Sequence, residues 1–152
     1  MQSKLIIADT SCFITLSNIE KMDLLRLLYK QIVTTPEIAQ EFGESLPDWV
    51  EIIPVSDKSK QNLLEMQVDK GEASAIALAL ENENSVLILD DNKARKLALN
   101  LKLDFTGTIG VIIAAKQKDI ISSIKPIIEK IKETNFRISA DLELQALIQA
   151  KE

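Results

Sequence analysis

The chain has 152 residues, of which 46% are hydrophobic and 27% are charged, and its formal net charge at pH 7 is −5. This length and composition predict a single folded domain, and the negative charge argues against broad electrostatic binding of nucleic acid. No run of about 18 apolar residues occurs, so no membrane span is expected. With no histidine and only one cysteine, Cys12, internal disulfides are excluded and a tetrahedral zinc site is disfavoured. Cytoplasmic localisation is the prediction.

Strands and helices alternate along about the first 115 residues of the chain. The predicted strands are the apolar or β-branched runs at 4–8, 31–35, 49–55, 85–90 and 101–106. The predicted helices lie at 11–17, 20–30, 34–42, 57–68, 72–83, 91–101, 107–118, 123–133 and 139–151. Thr35 and Ser139 are the expected N-caps, Pro36 is the expected first helical residue, and Gly71 interrupts the helical pattern. This order predicts an α/β fold in which a parallel sheet carries helices on both faces.

Acidic residues follow two of the predicted strands and begin one of the helices. Asp9 ends the first strand, Asp90 and Asp91 end the strand at 85–90, and Glu72 begins the helix before that strand. In open α/β sheets, ligands bind outside the carboxyl ends of the strands. Acids collected at that edge, without any histidine, indicate a hard divalent cation and phosphate chemistry.

Each of these acids also has a purely structural explanation. Asp9 is a possible N-cap, and Asp69 and Glu72 have the spacing of a capping box. One aspartate is enough to cap the helix after Asp90 and Asp91, so the second needs another reason. Adjacent carboxylates about 4 Å apart repel by about 4 kcal/mol at an effective dielectric constant of about 20, and a bound dication would reverse that repulsion.

Two further pairs of charged residues have open interpretations. Glu37 and Glu41 lie four residues apart, hence on one helix face, where they are either solvated or part of the acidic group. Lys93 and Arg95 begin the helix after the aspartate pair. They form either a solvated helix face or contacts to a phosphate backbone.

Five motifs in this order resemble the PIN domain family. They are IADTS, PEIAQEF, GEASAIALA, LILDDNKARKLA and FTGTIGVIIAAK. The match is most similar to a branch of short prokaryotic PIN-like proteins with a DTS start, a GEA-x-AI helix, a DD-x-x-AR strand end and a TGT-x-G helix start. The resemblance implies a three-layer α/β/α fold with a central parallel sheet of four to five strands, followed by C-terminal helices. It also implies a ribonuclease that depends on a divalent metal, with toxins of toxin–antitoxin pairs among its relatives.

The resemblance also assigns roles to individual side chains. The implied catalytic acids are Asp9, Glu41, Glu72 and Asp91, with Glu37 as the alternative to Glu41. The implied ligands of Mg²⁺ or Mn²⁺ are Asp9, Asp91, Glu72 and Asp90. Thr10, Ser11 and Thr108 would support the site, while Lys93 and Arg95 would contact the RNA backbone. In this scheme the ion activates water to hydrolyse the phosphodiester bond.

The chain departs from many catalytic PIN domains near residues 106–110. Where another acid is often found, the segment offers only Thr106 and Thr108, whose hydroxyls are weaker ligands than carboxylates. A catalytically silent PIN-like module that binds RNA or a protein is therefore the alternative function. A phosphoacceptor domain is a weaker possibility, because it leaves the DTS and GEASAI motifs without a role.

The predicted partners are RNA, an antitoxin protein and a second copy of the chain. The whole chain, 1–152, is predicted to be one PIN-like domain in which residues 121–152 form a C-terminal helical extension. Leu142, Leu144, Leu147 and Ile148 give this extension apolar surface, which is expected to pack either on the domain or on a partner. Association through this surface predicts a homodimer.

Overall fold

Within residues 4–152, which the computed structural model describes, the chain forms a sheet whose strands are all parallel. The strands are β1 (Leu5–Ala8), β2 (Ile32–Thr34), β3 (Val50–Ile52), β4 (Ser85–Ile88) and β5 (Phe105–Thr106), in the spatial order β3-β2-β1-β4-β5. The helices are α1 (Thr10–Asn18), α2 (Asp23–Leu28), α3 (Pro36–Phe42), α4 (Lys58–Leu64), α5 (Lys70–Leu80), α6 (Asn92–Asn100), α7 (Thr108–Gln117), α8 (Lys125–Lys132) and α9 (Ala140–Gln149). The helices flank the sheet, so the predicted three-layer α/β/α fold is confirmed. No helix in this range is long and apolar enough to cross a membrane.

Local sequence explains most of the element boundaries. Thr35 caps α3 by accepting a hydrogen bond from the backbone N–H of Ile38 at 3.2 Å, and Pro36 is the first helical residue, as predicted. Ser139 caps α9 in the same way, accepting from the backbone N–H of Leu142 at 3.0 Å. Gly43 ends α3 with a φ of 77°, a left-handed conformation that glycine adopts without steric cost.

Two boundary predictions were wrong. Gly71 does not interrupt a helix but lies inside the first turn of α5, which Asp69 caps. The fifth strand is also much shorter than the predicted 101–106, because the chain first closes α6 with a Schellman motif. Lys102 has a φ of 61°, and the backbone N–H of Leu103 donates to the carbonyl of Ala98 at 2.9 Å.

The core lies where the central strands meet α5. Ile7, Leu87 and Ile88 are fully buried in β1 and β4. The helix packed nearby is rich in alanine and buried nearly all round, with Ala73, Ala75, Ile76, Ala77 and Leu78 at most 1% exposed. Fully burying one Leu or Ile side chain stabilises a fold by about 1.5–3 kcal/mol, so this layer holds the strand ends rigidly in place.

The strand order produces a topological switch point between β1 and β4. The chain passes from β1 to β2 and β3 on one side, then crosses back to β4 and β5 on the other side. β1 and β4 are paired in register from Leu5–Ser85 to Ala8–Ile88, so both strands end at the same level. The loops after β1 and β4 leave in opposite directions, which opens a crevice at the carboxyl edge of the sheet.

The C-terminal helices pack on the same chain. Ala146 and Ala150 are buried, α9 lies against α7, and Lys132 of α8 pairs with Glu143 of α9. Leu142, Leu144 and Ile148 stay exposed, and the predicted homodimer remains a prediction. Residues 121–152 therefore cover part of the α/β domain itself.

Glu152 anchors the end of the chain to the loop before α8. Its carboxylate accepts hydrogen bonds from the hydroxyl of Ser123, from the backbone N–H of Ile124 at 2.7 Å and from Lys116 at 3.2 Å. These donors, first the Ser123 hydroxyl and then the Ile124 amide, lower the pKa of Glu152 from 4.5 to about 2. The carboxylate therefore stabilises the fold above pH 4.5, and this contribution is lost as the pH falls towards 2.

Replacing Glu152 with Gln is expected to lower the melting temperature at pH 7 and to have a smaller effect at pH 3. Calorimetric melting curves from pH 3 to pH 7 measure the difference. Glu129→Gln is a suitable control, because the ion pair of Glu129 with Lys132 is exposed. An equal effect of Glu152→Gln at both pH values would contradict the anchoring role.

Candidate active site

Asp9 lies at the switch point, directly after β1. It occupies the N-cap position of α1, but its side chain makes no capping hydrogen bond. The residue is only 5% exposed, and its buried Oδ1 has no hydrogen-bond partner within the described part of the chain. Burial, together with the negative charges of Asp69, Glu41 and Asp90, raises the pKa of Asp9 from 3.8 to about 7. Capping therefore does not explain this buried carboxylate.

Glu41 is connected to the residue after Asp9. The hydroxyl of Thr10 donates a hydrogen bond to Oε1 of Glu41, which joins α1 to α3. Glu37 lies one turn earlier and is bound elsewhere, since it accepts from Gln61 at 2.7 Å and Lys58 at 3.4 Å. Of the two acids that the sequence left open, the geometry thus brings Glu41 and not Glu37 beside Asp9.

The first turn of α5 brings two more carboxylates to the crevice. Asp69 accepts from the backbone N–H of Glu72 at 2.8 Å, and Glu72 accepts from that of Asp69 at 3.2 Å, which completes the predicted capping box. A Cβ atom at Gly71 would lie 3.0 Å from Oε1 of Glu41, so glycine lets this turn approach α3 closely. Burial, then the charges of Asp69, Asp91 and Asp9, raise the pKa of Glu72 to about 7.

Asp90 lies two residues beyond the end of β4 and is held there by three hydrogen-bond donors. The backbone N–H of Thr108 donates to Oδ1 at 2.8 Å, and the Thr108 hydroxyl donates to Oδ2 at 2.6 Å. The hydroxyl of Ser11 also donates to Oδ2. All three predicted supporting hydroxyls, those of Thr10, Ser11 and Thr108, therefore contact an acid of this group.

Asp91 and the two basic residues lie on the exposed side of the same edge. Asp91 is exposed and caps α6 through Oδ2, which accepts from the backbone N–H of Ala94 at 3.0 Å. Lys93 is exposed, whereas Arg95 is half-buried with its guanidinium carbon 5.1 Å from the centre of the Phe105 ring. Asp91 thus has a capping role with one oxygen, and its charge still reaches Glu72.

A common pattern runs through the acidic cluster, which consists of Asp9, Glu41, Asp69, Glu72, Asp90 and Asp91. In Glu41, Asp69, Glu72 and Asp91, one carboxylate oxygen accepts a hydrogen bond that fixes the side chain, and the other accepts none from residues 4–152. Asp90 differs, because both of its oxygens are bonded. Four anchored carboxylates with free oxygens are the kind of donor set that a hard dication prefers.

The fit to a divalent ion rests on Asp9 in particular. Its Oδ1 atom is buried without a donor, which is costly for a carboxylate unless a cation or proton compensates the charge. Within the described range, no three acidic or cysteine side chains are already gathered in the geometry of a metal site. The acids nevertheless lie within electrostatic reach of one another, since, after burial, the charges of Asp69, Glu41 and Asp90 raise the pKa of Asp9. The donor types present therefore fit a hard divalent cation.

Asp69 is the member of this cluster that sequence reasoning did not select for function. Its role as the N-cap of α5 explains its spacing to Glu72 fully, so nothing further in the sequence indicated a functional role for Asp69. In the structure its charge raises the pKa of both Asp9 and Glu72, which places it within the electrostatic reach of both.

The comparisons with known proteins give one result. The family model DUF3368, described as a PIN domain, matches residues 5–152. No curated protein matches the chain significantly. The matched range contains every acid of the acidic cluster and both C-terminal helices.

Proposed function

Because the chain belongs to the PIN domain family, we propose that it is a divalent-metal-dependent endoribonuclease that hydrolyses RNA phosphodiester bonds. PIN domains form a superfamily of nucleases and generally use divalent metals. The observation that carries the proposal is Asp9, a buried carboxylate with a free oxygen that lies among other acids at the switch point of the sheet. A charge left uncompensated in such a position indicates function, since it costs stability.

The acidic cluster divides into four ligands, one further negative charge and one positioning acid. Asp9, Glu72, Asp91 and Glu41 would hold Mg²⁺ or Mn²⁺, directly or through water, and Asp69 adds negative charge beside them. When bound, the ion polarises the scissile phosphate and lowers the pKa of water. Asp90, with both oxygens already bonded, instead fixes the hydroxyls of Ser11 and Thr108. This assignment changes the predicted ligand role of Asp90 into a positioning role.

Other side chains of the site orient the acids and meet the substrate. Thr10 fixes one oxygen of Glu41 and so directs the other. Lys93 and Arg95 follow the aspartate pair on α6, where their charges attract the RNA backbone. The net charge of −5 does not oppose this, because total charge governs long-range attraction whereas local cations act on phosphates in contact.

The silent binding module remains the second candidate, and one observation favours it. Thr108 stands where many PIN domains carry another acid, and its hydroxyl is already used by Asp90. Compared with PIN domains that carry an acid at this position, the site has one carboxylate fewer with which to hold a second ion. A toxin role, an antitoxin partner and homodimerisation remain predictions from the family resemblance.

Purified protein incubated with single-stranded RNA tests the proposal. Cleavage is expected with Mn²⁺ or Mg²⁺ and not with EDTA, and Glu41→Gln is expected to reduce the rate by roughly tenfold. Glu44→Gln is the matched control, because Glu44 is an exposed acid just beyond the end of α3. Absence of cleavage with every acid intact, or cleavage that persists in EDTA, would refute the metal-dependent nuclease.

A further inference from the structure

A cleft of about 530 Å³ adjoins the acidic cluster on the side of Asp90. One wall comes from the start of α6 and from the β5–α7 segment, and includes Arg95 and Gly107. The opposite wall comes from the C-terminal part of the chain, residues 136–149, and includes Phe136 and Arg137. The volume lies within the range of 300–1,000 Å³ that is typical of small-ligand pockets, which is enough for a nucleotide.

The charges that line this cleft are opposite in sign to those of the acidic cluster. Two arginines, Arg95 and Arg137, face a single acid, Asp90, among the lining residues. Asp90 is already bonded by three donors from Ser11 and Thr108. Neither arginine takes part in an ion pair with residues 4–152. Both guanidinium groups are therefore available to an anion.

Arg95 is held in place by packing and not by a carboxylate. Its guanidinium lies over Phe105, and its buried Nε has no hydrogen-bond partner in the part of the chain that the structure describes. Gly107 makes room for this arrangement, since a Cβ atom there would lie 3.8 Å from Nη2 of Arg95 and 3.0 Å from Oδ1 of Asp90. An arginine fixed in this way, next to a carboxylate that other groups satisfy, is suited to hold a phosphate.

The remaining polar and aromatic groups of the cleft match a nucleobase. Asn92, Ser139, Gln145 and Gln149 supply neutral donors and acceptors, and Phe136 supplies aromatic surface. Single-stranded RNA is recognised through such stacking and base-edge hydrogen bonds, together with arginine contacts to phosphate. An acidic peptide would use the arginines but would leave the amide groups and the aromatic ring without a role.

We propose that this cleft binds the nucleotide next to the scissile phosphate of single-stranded RNA, with Arg95 and Arg137 on its phosphates. The proposal rests on the nuclease function, because it takes the acidic cluster as the site of cleavage. It gives residues 136–149 a role in substrate binding, in addition to covering the domain. A second depression of about 600 Å³ shares Phe136, Arg137 and Ser139, so the strand has a continuous path beyond the cleft.

Binding measured without cleavage tests this assignment. Fluorescence anisotropy with a labelled single-stranded RNA in EDTA gives the dissociation constant over a range of salt concentrations. Arg137→Gln is expected to weaken binding by about fivefold to tenfold and to reduce the slope of log Kd against log salt by about 0.7. Arg137 is exposed, so this variant is expected to fold normally. Arg137→Lys should recover most of the salt slope, because it keeps the charge.

The matched control is Arg26→Gln, which removes an arginine from the exposed face of α2, away from the cleft. Unchanged RNA binding by Arg137→Gln, or an equal loss in Arg26→Gln, would overturn the assignment of the cleft. An acidic peptide that displaces RNA at equal charge concentration would also overturn it.

The binding assay and the cleavage assay can refute the cleft assignment and the nuclease function separately. If the wild-type protein cleaves RNA while Arg137→Gln binds normally, the cleft assignment is refuted and the nuclease function stands. If RNA binding depends on Arg137 but no metal ion supports cleavage, the nuclease function is refuted, and the cleft is a site that binds single-stranded RNA without cleaving it.

Discussion

Replacing Asp9 with Asn is expected to reduce RNA cleavage by about 100-fold or more and, at the same time, to stabilise the metal-free protein at pH 8. The loss of activity follows from removing a charge that would hold the dication, since the ion stabilises the transition state by several kcal/mol. The gain in stability follows from removing a buried carboxylate whose Oδ1 accepts no hydrogen bond from residues 4–152. Replacing a residue with a purely structural role would destabilise the protein. A variant that loses activity but gains stability therefore identifies a functional acid.

The pH dependence of this effect has a definite sign. The pKa of Asp9 is raised from 3.8 to about 7 in the folded protein, which corresponds to about 4 kcal/mol against the ionised form. The contribution of Asp9 to stability is therefore fully present below pH 3.8 and is lost as the pH rises through 7. Asp9→Asn is expected to raise the melting temperature at pH 8 by roughly 10 °C and to have little effect at pH 4.

Thermal melting in EDTA from pH 4 to pH 8 measures the difference, with Asp48→Asn as a control at an exposed loop aspartate. Addition of Mn²⁺ at pH 8 should then raise the melting temperature of the wild-type protein and leave that of Asp9→Asn nearly unchanged. Equal stabilisation of both proteins by Mn²⁺ would remove Asp9 from the ligand set. A destabilised Asp9→Asn variant at pH 8 would show that the buried carboxylate is compensated in the fold.

The sheet could be predicted from the sequence because each strand carries its own signal. Continuous apolar runs mark β1 and β4, which are buried on both faces, and Pro47 and Pro54 bound the edge strand β3. The weakest prediction was β5, because residues 101–103, Leu-Lys-Leu, alternate as in a strand but serve to close α6. Hydrophobic pattern cannot distinguish a short strand from a helix end that packs on the same core.

The acidic cluster was predictable only in part, for a related reason. Asp9 and Asp90 follow strands that the sequence places at one edge, so their proximity follows from parallel topology. The difference between Asp9, which caps nothing, and Asp91, which caps α6, depends on side-chain direction and appears only in the structure. The cleft between Arg95 and Arg137 depends on how α9 packs against α7, a contact between distant segments that no local pattern specifies.

Replacement of Thr108 is expected to have the second large effect on the rate of RNA cleavage. Thr108 stands where many PIN domains carry another acid, and in this chain it holds Asp90 instead. Its hydroxyl and backbone N–H both donate to Asp90, and the residue is completely buried at the start of α7. Valine has nearly the same shape but lacks the hydroxyl. Thr108→Val is therefore expected to leave the fold intact, to loosen Asp90 and to reduce the rate of cleavage between 10-fold and 100-fold.

Single-turnover cleavage of RNA by Thr108→Val, Thr108→Ser and Thr15→Val separates the role of the hydroxyl from that of packing. Thr108→Ser restores the donor and should recover most of the rate. Thr15→Val makes the same chemical change at another buried threonine, on α1, and should cleave normally. If Thr108→Val retains the wild-type rate, the hydrogen bond between the Thr108 hydroxyl and Asp90 does not support catalysis. If Thr108→Val and Thr108→Ser lose equal activity, volume at the start of α7 matters and the hydrogen bond to Asp90 does not.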